Sequence, residues 1–493
     1  MIDIRQKRAP LAEAMKAYAK SGALAFHTPG HKQGLGAHKL LKELISPLGL
    51  KEEVSLMDEL DDPSHPEGCI KEAQELAAQL YGADYTFFMV NGTTGAIHTM
   101  LMAALRPGDK ILVPRCVHRS VMGGLILTGA VPIYLPPVVD ERLGIVTGVT
   151  VKAVTQMLDR HPDVKGMLMV YPNYYGLTCD LEGIADELHR RGKFLLVDEA
   201  HGAHLRFSDE LPSDAMACGA DMAAQSTHKL LGSLTQTSML HLRTERFSYE
   251  QVRRTAAILA STSPDYLLLA SLDIARLQMA EEGRERIARA LKSARWLRRE
   301  INKIEGLWCF GLSDIKSSDS GVTGMDELKL TVQVSGLGLT GHAAERILRN
   351  KYLLQCELVD MKNVLFIISM ADTEREAGKL LTALQGLAFE NKGRKPLELP
   401  KIAEGTVRPE MVLAPREAFL APQQVMNFSE AAGQISAEEI TFYPPGIPII
   451  CPGERLDADI LALVREMADL GLRVTGTADT SLEKISVIRM EKV

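Results

Sequence analysis

The feature that most constrains the fold is a series of short, almost continuously apolar runs between residues 85 and 242. The runs are YTFFMV, KILVP, VPIYL, GMLMVY, FLLVD, MAAQS and SMLHL, and stretches with helical patterns separate them. Runs of this length without regular polar alternation are typical of strands that are buried on both faces. We therefore predict an α/β fold in which crossover helices connect the strands of a mostly parallel sheet.

The rest of the chain is predicted to add a smaller α/β domain and a C-terminal α+β domain. Residues 262–306 have the spacing of long helices, and LKLTVQVSGL and VLFIISM are strand patterns that precede helices from about Gly341 and Asp372. The run ITFYPPGIPIICPGE contains four prolines and two glycines. We predict that they forbid a regular strand or helix and form a rigid loop, with a surface turn between strands as the alternative. The predicted parts are an N-terminal arm (1–26), a large domain (27–290), a small α/β domain (291–390), a linker (391–410) and a C-terminal domain (411–493).

Composition argues against several classes of function. The chain has 46% hydrophobic residues and a formal net charge of −7 without long runs of one sign, so no basic surface for nucleic acid is expected. The N-terminus has no signal-peptide pattern and no stretch approaches the length of a membrane span, so we expect a cytoplasmic protein. The seven cysteines lie far apart, which favours reduced thiols without a metal site or disulfide framework.

One lysine, Lys229, directly follows a predicted strand in the segment AQSTHKLL. A lysine can form an imine with pyridoxal 5'-phosphate (PLP) if it is held near that cofactor and can lose its proton. Strand ends are where α/β sheets place such groups. A solvated surface lysine is the default interpretation, but Ser226, Thr227 and His228 precede Lys229 and can donate hydrogen bonds to a phosphate.

The run FLLVD ends in Asp198, which Glu199, Ala200 and His201 follow. An aspartate at a buried strand end is costly unless a cation pairs with it. The protonated ring nitrogen of PLP is such a cation, and the ion pair maintains the ring as an electron sink. Ala200, two residues on and so on the same face, is expected to lie against the ring, and His201 to reach the ring hydroxyl. A metal or helix-cap cluster is the weaker interpretation, because only His201 and His204 are soft ligands here.

The segment NGTTGA lies between the first predicted strand and a helix. The amides of Gly92, Thr93 and Thr94 and the two hydroxyls are therefore predicted at a helix N-terminus, where the dipole favours an anion such as the cofactor phosphate. Alone, such a loop is more often an ordinary helix cap. His118, after the strand KILVP, is predicted to stack on the PLP ring, although a lone histidine is usually a satisfied structural residue.

Taken together, these motifs resemble the Orn/Lys/Arg decarboxylase family of fold-type I PLP enzymes. The resemblance covers nearly the whole chain through HTPGHKQG, LDDPSHPEGCIKEAQELAA, NGTTGA, VHRS, YPNYYGLTCDL, DEAHGAH, STHK and YPPGIPIICPGE. It implies an aspartate-aminotransferase-like large domain and an active site at the interface of a homodimer or higher homo-oligomer. It also implies Lys229 for the imine, Asp198 for the ring nitrogen, His118 for stacking, and Gly92, Thr93, Thr94, Ser226 and His228 for phosphate or nearby roles.

The compact form, with 26 residues before HTPGH, SLTQTS after the lysine and STSPDYLLLASLDIAR, resembles the biosynthetic arginine decarboxylases of Gram-positive bacteria. This resemblance implies conversion of arginine to agmatine and CO2 for polyamine synthesis, with Lys229 or His228 returning a proton to the substrate Cα. Lysine or ornithine as substrate, a PLP aminotransferase or condensing enzyme, and a silent regulatory homologue are the alternatives. An acidic residue is expected to bind the distal cation of the substrate. The candidates are Asp58, Glu59, Asp61, Asp62, Glu67, Glu438 and Glu454.

Overall fold

The helices and strands of the chain follow the order that the apolar runs predict. The computed structural model describes residues 3–136, 138–315, 319–397, 409–443, 447–469 and 473–489. Its α-helices are α1 (Pro10–Lys20), α2 (Lys39–Ile45), α3 (Pro47–Glu52), α4 (Cys69–Tyr81), α5 (Gly92–Ala104), α6 (Arg119–Thr128), α7 (Val151–Arg160), α8 (Leu181–Arg190), α9 (Thr227–Leu230), α10 (Tyr249–Leu259), α11 (Tyr266–Ile301), α12 (Leu312–Ile315), α13 (Gly341–Tyr352), α14 (Glu374–Glu390), α15 (Pro415–Leu420) and α16 (Ala458–Asp469).

Its strands are β1 (Tyr85–Met89), β2 (Lys110–Pro114), β3 (Val131–Leu135), β4 (Val139–Asp140), β5 (Ile145–Val146), β6 (Gly166–Val170), β7 (Leu177–Thr178), β8 (Phe194–Asp198), β9 (Met222–Gln225), β10 (Ser238–Leu242), β11 (Trp308–Cys309), β12 (Gly324–Met325), β13 (Lys329–Gln333), β14 (Leu358–Val359), β15 (Asn363–Ile367), β16 (Gln423–Asn427), β17 (Ile440–Tyr443), β18 (Ile447–Ile450), β19 (Arg473–Thr475) and β20 (Lys484–Ile488). Within the described ranges, no helix is both long and apolar enough to cross a bilayer.

The seven apolar runs form the strands of one sheet, in the order β1-β10-β9-β8-β6-β2-β3. Strand β8 pairs in parallel with β9, and β2 pairs in parallel with β3 and β6. Strand β10 pairs antiparallel with both β1 and β9. All residues of β8, β9 and β10 are buried, which is why these strands carry no polar alternation. The predicted α/β fold class is confirmed.

The chain divides into two compact units. The first comprises residues 1–104, 196–209 and 213–286, and the second comprises residues 105–195, 210–212 and 287–493. Each unit is built from segments that lie far apart in the sequence. The five-part domain organisation stays a prediction.

In the first unit, a buried ion pair on helix α11 attaches the N-terminal segment. Arg276 and Asp273 are both 0% exposed, and their side chains are 2.7 Å apart. Arg276 also donates to the carbonyl oxygens of Gln6 and Arg8, while Asp273 accepts from the amide of Leu11 at 3.1 Å. The helix itself confirms the helical spacing of residues 262–306 and is continuous over 36 residues.

In the second unit, the predicted smaller α/β part is present as a four-stranded sheet with the order β11-β13-β15-β14. Helix α13 begins at Gly341, as predicted, and Thr340 caps it by accepting from the amide of Ala343. Helix α14 begins at Glu374, two residues after the predicted start. The reason is a capping box in which Thr373 is the N-cap, and an N-cap residue itself stands outside the helix.

The proline-rich run near the C-terminus departs from its prediction. The expectation that it forbids a regular strand was wrong, because β17 and β18 pair antiparallel and belong to a sheet with the order β18-β17-β19. Pro448 is tolerated because β18 is an edge strand and its pairing with Thr441 lies next to a register shift. Residues 444–446 of this run, and residues 398–408 of the predicted linker, lie outside the described residues.

Candidate active site

The candidate site lies in the first unit, at the carboxyl ends of strands β8 and β9. Asp198 is the last residue of β8 and pairs with Ala224 of β9. Ser226 follows β9 directly, and Lys229 lies in the one-turn helix α9. Parallel strands bring their carboxyl ends to the same edge of a sheet, so the strand pairing places Asp198 beside the turn that carries Lys229.

The amine of Lys229 lies within hydrogen-bonding distance of an imidazole. Its Nζ is 3.0 Å from Nε2 of His201. The side chain of Lys229 is exposed, whereas His201 is buried. The chain turns sharply after β8, because the amide of Gly202 donates to the carbonyl of Glu199 at 2.9 Å. This turn places the ring of His201 next to the amine of Lys229.

The carboxyl group of Asp198 is only 3% exposed. Burial raises its pKa from 3.8 to about 6, although the positive charge of Lys229 and a hydrogen bond from the amide of Ala200 act in the opposite direction. A cation next to such a buried carboxyl group stabilises its carboxylate form and lowers its pKa. Contrary to our expectation, Ala200 does not share a strand face with Asp198, because β8 ends at Asp198 and Ala200 lies in the turn.

The start of helix α5 and the turn after β9 are joined through hydroxyl groups. The hydroxyl of Thr93 contacts that of Ser226 and donates to that of Ser238 at 2.9 Å. Gly92 has a φ of 74°, which favours glycine, and its amide donates to the carbonyl of Gln236 at 2.9 Å. Two predicted phosphate-binding segments, which are far apart in the sequence, are therefore in contact, while Thr94 is exposed.

The residues between Ser226 and Lys229 differ in how their side chains are satisfied. Nδ1 of His228 lies 2.7 Å from the carbonyl oxygen of Thr237 and donates to it. Thr227 is 1% exposed, and its hydroxyl has no hydrogen-bond partner among the described residues. Buried polar atoms without a hydrogen-bond partner are rare in folded proteins. The Thr227 hydroxyl therefore indicates that a ligand binds next to it.

His118 belongs to the second unit, where it is the N-cap of helix α6. Its Nδ1 accepts from the amide of Ser120 at 3.3 Å and lies 2.8 Å from the hydroxyl of the same residue. Nδ1 of His118 thus has hydrogen-bond partners within its own helix cap, as expected for a structural histidine. The predicted stacking of His118 on PLP stays a prediction.

A buried chain of polar side chains beside the site was missed by the sequence reasoning. Thr86, His241, Gln225 and Glu199 are linked in that order at 2.8, 3.1 and 2.8 Å. Each of the four is at most 2% exposed. The sequence held a signal for it, because His241 and Gln225 are large polar residues within the apolar runs SMLHL and MAAQS.

Three of the acidic candidates for the distal cation are already engaged. Asp61 accepts from the amides of residues 62, 67, 68, 70 and 71 and so caps helix α4. Glu438 accepts from the amides of Ala478 and Ser486. Glu454 is 1% exposed and accepts from Arg115 through both of its oxygens.

The remaining acidic candidates line one cavity of about 550 Å³ in the first unit. This acidic cavity is bordered by Asp58, Glu59, Asp61, Asp62 and Glu67, together with His65 and the apolar side chains of Leu56 and Met57. The carboxyl groups of Asp58, Glu59 and Glu67 are on exposed residues. They carry negative charge without the backbone contacts that occupy Asp61.

An α/β sheet with a buried carboxyl group and a lysine amine at neighbouring strand ends defines the class of protein, an α/β enzyme with a lysine-centred site. The profile of the Orn/Lys/Arg decarboxylase major domain matches residues 9–376, and that of the C-terminal domain of the same enzymes matches residues 401–476. The chain belongs to the Orn/Lys/Arg decarboxylase family, and the predicted family is confirmed.

Known relatives cover the whole chain. It is 43% identical to the arginine decarboxylase of Bacillus anthracis, over 100% of this chain and 99% of that protein. It is 44% identical to the arginine decarboxylase of Halalkalibacterium halodurans, over 98% of both chains. The solved structure of lysine decarboxylase A from Pseudomonas aeruginosa has the same fold, with a TM-score of 0.85 and 22% identity over 99% of this chain and 81% of that chain.

Proposed function

We propose that the chain decarboxylates arginine with PLP as its cofactor and releases agmatine and CO2. The arginine decarboxylases at 43% and 44% identity support this substrate. The structural observation that carries the proposal is the amine of Lys229 at 3.0 Å from His201, beside the strand end of the buried Asp198. Agmatine is an amine from which polyamines are built, so the reaction fits polyamine biosynthesis.

The residues at the strand ends fit PLP. Asp198, whose pKa burial raises to about 6, would pair with the protonated ring nitrogen and would then carry its negative charge. The hydroxyl of Thr93 at the start of α5 and that of Ser226 after β9 would bind the phosphate. The phosphate would also give the hydroxyl of Thr227 a hydrogen-bond partner. The other residues proposed to bind the cofactor are Gly92, Thr94, His118, Ala200, His201 and His228.

When bound, PLP supplies an electron sink for the electron pair that remains when the substrate carboxylate leaves as CO2. Lys229 would hold the cofactor through its amine and can carry a proton on Nζ to the substrate Cα. His201 orients that amine and can exchange the proton with it. His228 has Nδ1 committed to the carbonyl of Thr237, so only its Nε2 is left for a similar role.

For the guanidinium group of the substrate, we infer a carboxylate of the acidic cavity. Carboxylates bind guanidinium in a bidentate manner. Four acidic residues of the cavity lack the series of backbone hydrogen bonds that Asp61 accepts, namely Asp58, Glu59, Asp62 and Glu67. Each would be changed singly to its amide. The variant that lacks the binding carboxylate should raise KM for arginine and leave PLP affinity unchanged, whereas a wild-type KM in all four variants would contradict this inference.

We also propose that the protein is a homodimer with its active site near the subunit interface. Leu24, Phe26, Leu35 and Leu44 are 81–92% exposed and lie within one short segment of the chain. Monomeric proteins rarely expose so many large apolar side chains together, and a second copy would cover them. Analytical ultracentrifugation should give a dimer that Phe26→Ser and Leu44→Ser weaken. A wild-type protein that stays monomeric at micromolar concentration would contradict the proposal.

The substrate assay tests the central proposal. The purified enzyme would be incubated with PLP and with arginine, lysine or ornithine, and the product amine would be identified by mass while CO2 is measured. We expect agmatine and CO2 without any added keto acid, since decarboxylation needs no amino acceptor. Faster formation of cadaverine or putrescine would reject arginine as the substrate, and a requirement for a keto acid would indicate an aminotransferase.

A further inference from the structure

The chain of Thr86, His241, Gln225 and Glu199, here called the polar belt, crosses four neighbouring strands of the sheet. Thr86 lies in β1, His241 in β10 and Gln225 in β9, while Glu199 follows β8 directly. Glu199 also accepts from the amide of Ala215 at 2.8 Å through its second oxygen. Both oxygens of this buried carboxyl group therefore have a hydrogen-bond partner.

Each of the four side chains of the polar belt has a hydrogen-bond partner. Burial and the charge of Arg206 lower the pKa of His241 to about 3, so its ring is neutral and carries one donor and one acceptor. A hydroxyl and an amide likewise each donate and accept. Burial and the negative charge of Asp214 raise the pKa of Glu199, while the N–H groups of Gln225 and Ala215 that donate to its two oxygens act in the opposite direction.

The position of the belt in the sequence connects it with the proposed PLP contacts. Glu199 comes directly after Asp198, the proposed partner of the ring nitrogen. Gln225 comes directly before Ser226, one of the proposed phosphate-binding residues, and its carbonyl accepts from Ser238 at 2.7 Å. The side-chain hydrogen bond between Glu199 and Gln225 therefore joins two residues whose sequence neighbours are proposed to bind opposite ends of PLP. Asp198 would bind the ring nitrogen, and Ser226 would bind the phosphate.

We propose that the bond between Glu199 and Gln225 is a positioning clamp that sets the distance between Asp198 and Ser226, so that PLP is bound at its ring nitrogen and its phosphate together. This inference rests on the proposed function. The clamp acts through backbone geometry, because a shift between β8 and β9 would move one contact relative to the other. Thr86 and His241 extend the belt and hold the amide of Gln225 in its orientation.

The test measures PLP affinity of the cofactor-free protein, at a temperature where circular dichroism shows every variant folded. Gln225→Leu and Glu199→Leu remove the clamp, whereas Glu199→Gln keeps a group that hydrogen-bonds to Gln225. Gln6→Leu is the matched control, because Gln6 is a buried amide of the same unit in a different network, with Leu76 and Arg276. The control loses the same chemical group and no contact of the belt.

We expect Gln225→Leu and Glu199→Leu to raise the dissociation constant of PLP by about tenfold, the effect of one lost hydrogen bond. Glu199→Gln and Gln6→Leu should stay within about threefold of wild type. Equal PLP affinity in Gln225→Leu and wild type would overturn the clamp, even if both Gln→Leu changes lower the melting temperature.

Two further outcomes separate the clamp from the proposed function. A wild-type protein that binds no PLP would overturn the proposed cofactor, and the clamp with it. If Gln225→Leu does not fold, Gln225→Asn keeps the amide but shortens its reach to Glu199. Wild-type PLP affinity in that variant would overturn the clamp alone, and weakened affinity would support it.

Discussion

The amine of Lys229 and the Nε2 atom of His201 lie 3.0 Å apart, although 27 residues separate them in the sequence. The expected contact of His201 with the ring hydroxyl of PLP stays a prediction, and the contact present in the structure is the one with the amine of Lys229. A lysine attacks a carbonyl only after it loses its proton, and an imidazole in hydrogen-bond contact can take that proton. The pair therefore has the chemistry that an amine-based active site needs.

Replacing Lys229 by alanine should abolish decarboxylation and the visible absorbance band of the lysine–PLP linkage, because Lys229 supplies the amine at this strand end. Activity and the absorbance spectrum of the purified variant measure this. Lys16→Ala removes an exposed lysine from helix α1 and should leave both unchanged. A Lys229→Ala protein with the full band and wild-type turnover would show that the assignment is wrong.

Replacing His201 by glutamine should lower kcat by about 100-fold, the usual contribution of a group that transfers a proton. The change keeps a polar side chain beside Lys229 but removes the imidazole. Steady-state kinetics at saturating PLP measure the effect. His161→Gln, a change in the second unit, is the control and should keep wild-type kcat. Unchanged kcat in the His201 variant would exclude proton exchange with Lys229.

The pH dependence of stability should report the buried Asp198. Its pKa is about 6 in the folded protein against an ordinary 3.8, so protonated Asp198 stabilises the fold fully below about pH 4. This contribution, about 3 kcal/mol, is lost as the pH rises through 6. The free energy of unfolding of the cofactor-free protein, minus that of Asp198→Asn, should therefore fall between pH 4 and pH 7. A difference that does not change with pH would contradict the raised pKa.

Replacing Arg276 by methionine should destabilise the protein by about 3–5 kcal/mol, because the charge of Asp273 is then buried without a partner. Urea unfolding measures the loss. On the same helix, Arg286 pairs with Glu282 at the surface, and Arg286→Met should cost less than about 1 kcal/mol.

The double change Arg276→Met with Asp273→Leu removes the uncompensated charge and should recover part of the stability. Equal losses from the buried and the surface arginine would show that burial of the pair does not matter.

Much of the fold could be predicted because burial on both faces leaves a direct trace in the sequence. Each of the seven apolar runs became a strand of the main sheet, and helix α13 begins at the predicted residue. The proline-rich run was misjudged because proline content says nothing about whether a strand lies at an edge. Pro448 is accepted only because β18 pairs on one side.

The sequence by itself determined the fold class, the family and the identity of Lys229 and Asp198 as site candidates, since these depend on local patterns and on the order of motifs. Only the tertiary structure decided which distant residues meet. The contacts of Lys229 with His201, of Thr93 with Ser226 and of Gln225 with Glu199 result from strand pairing. Hydrogen bonds between strands have no fixed sequence separation, so their partners are decided when the sheet forms.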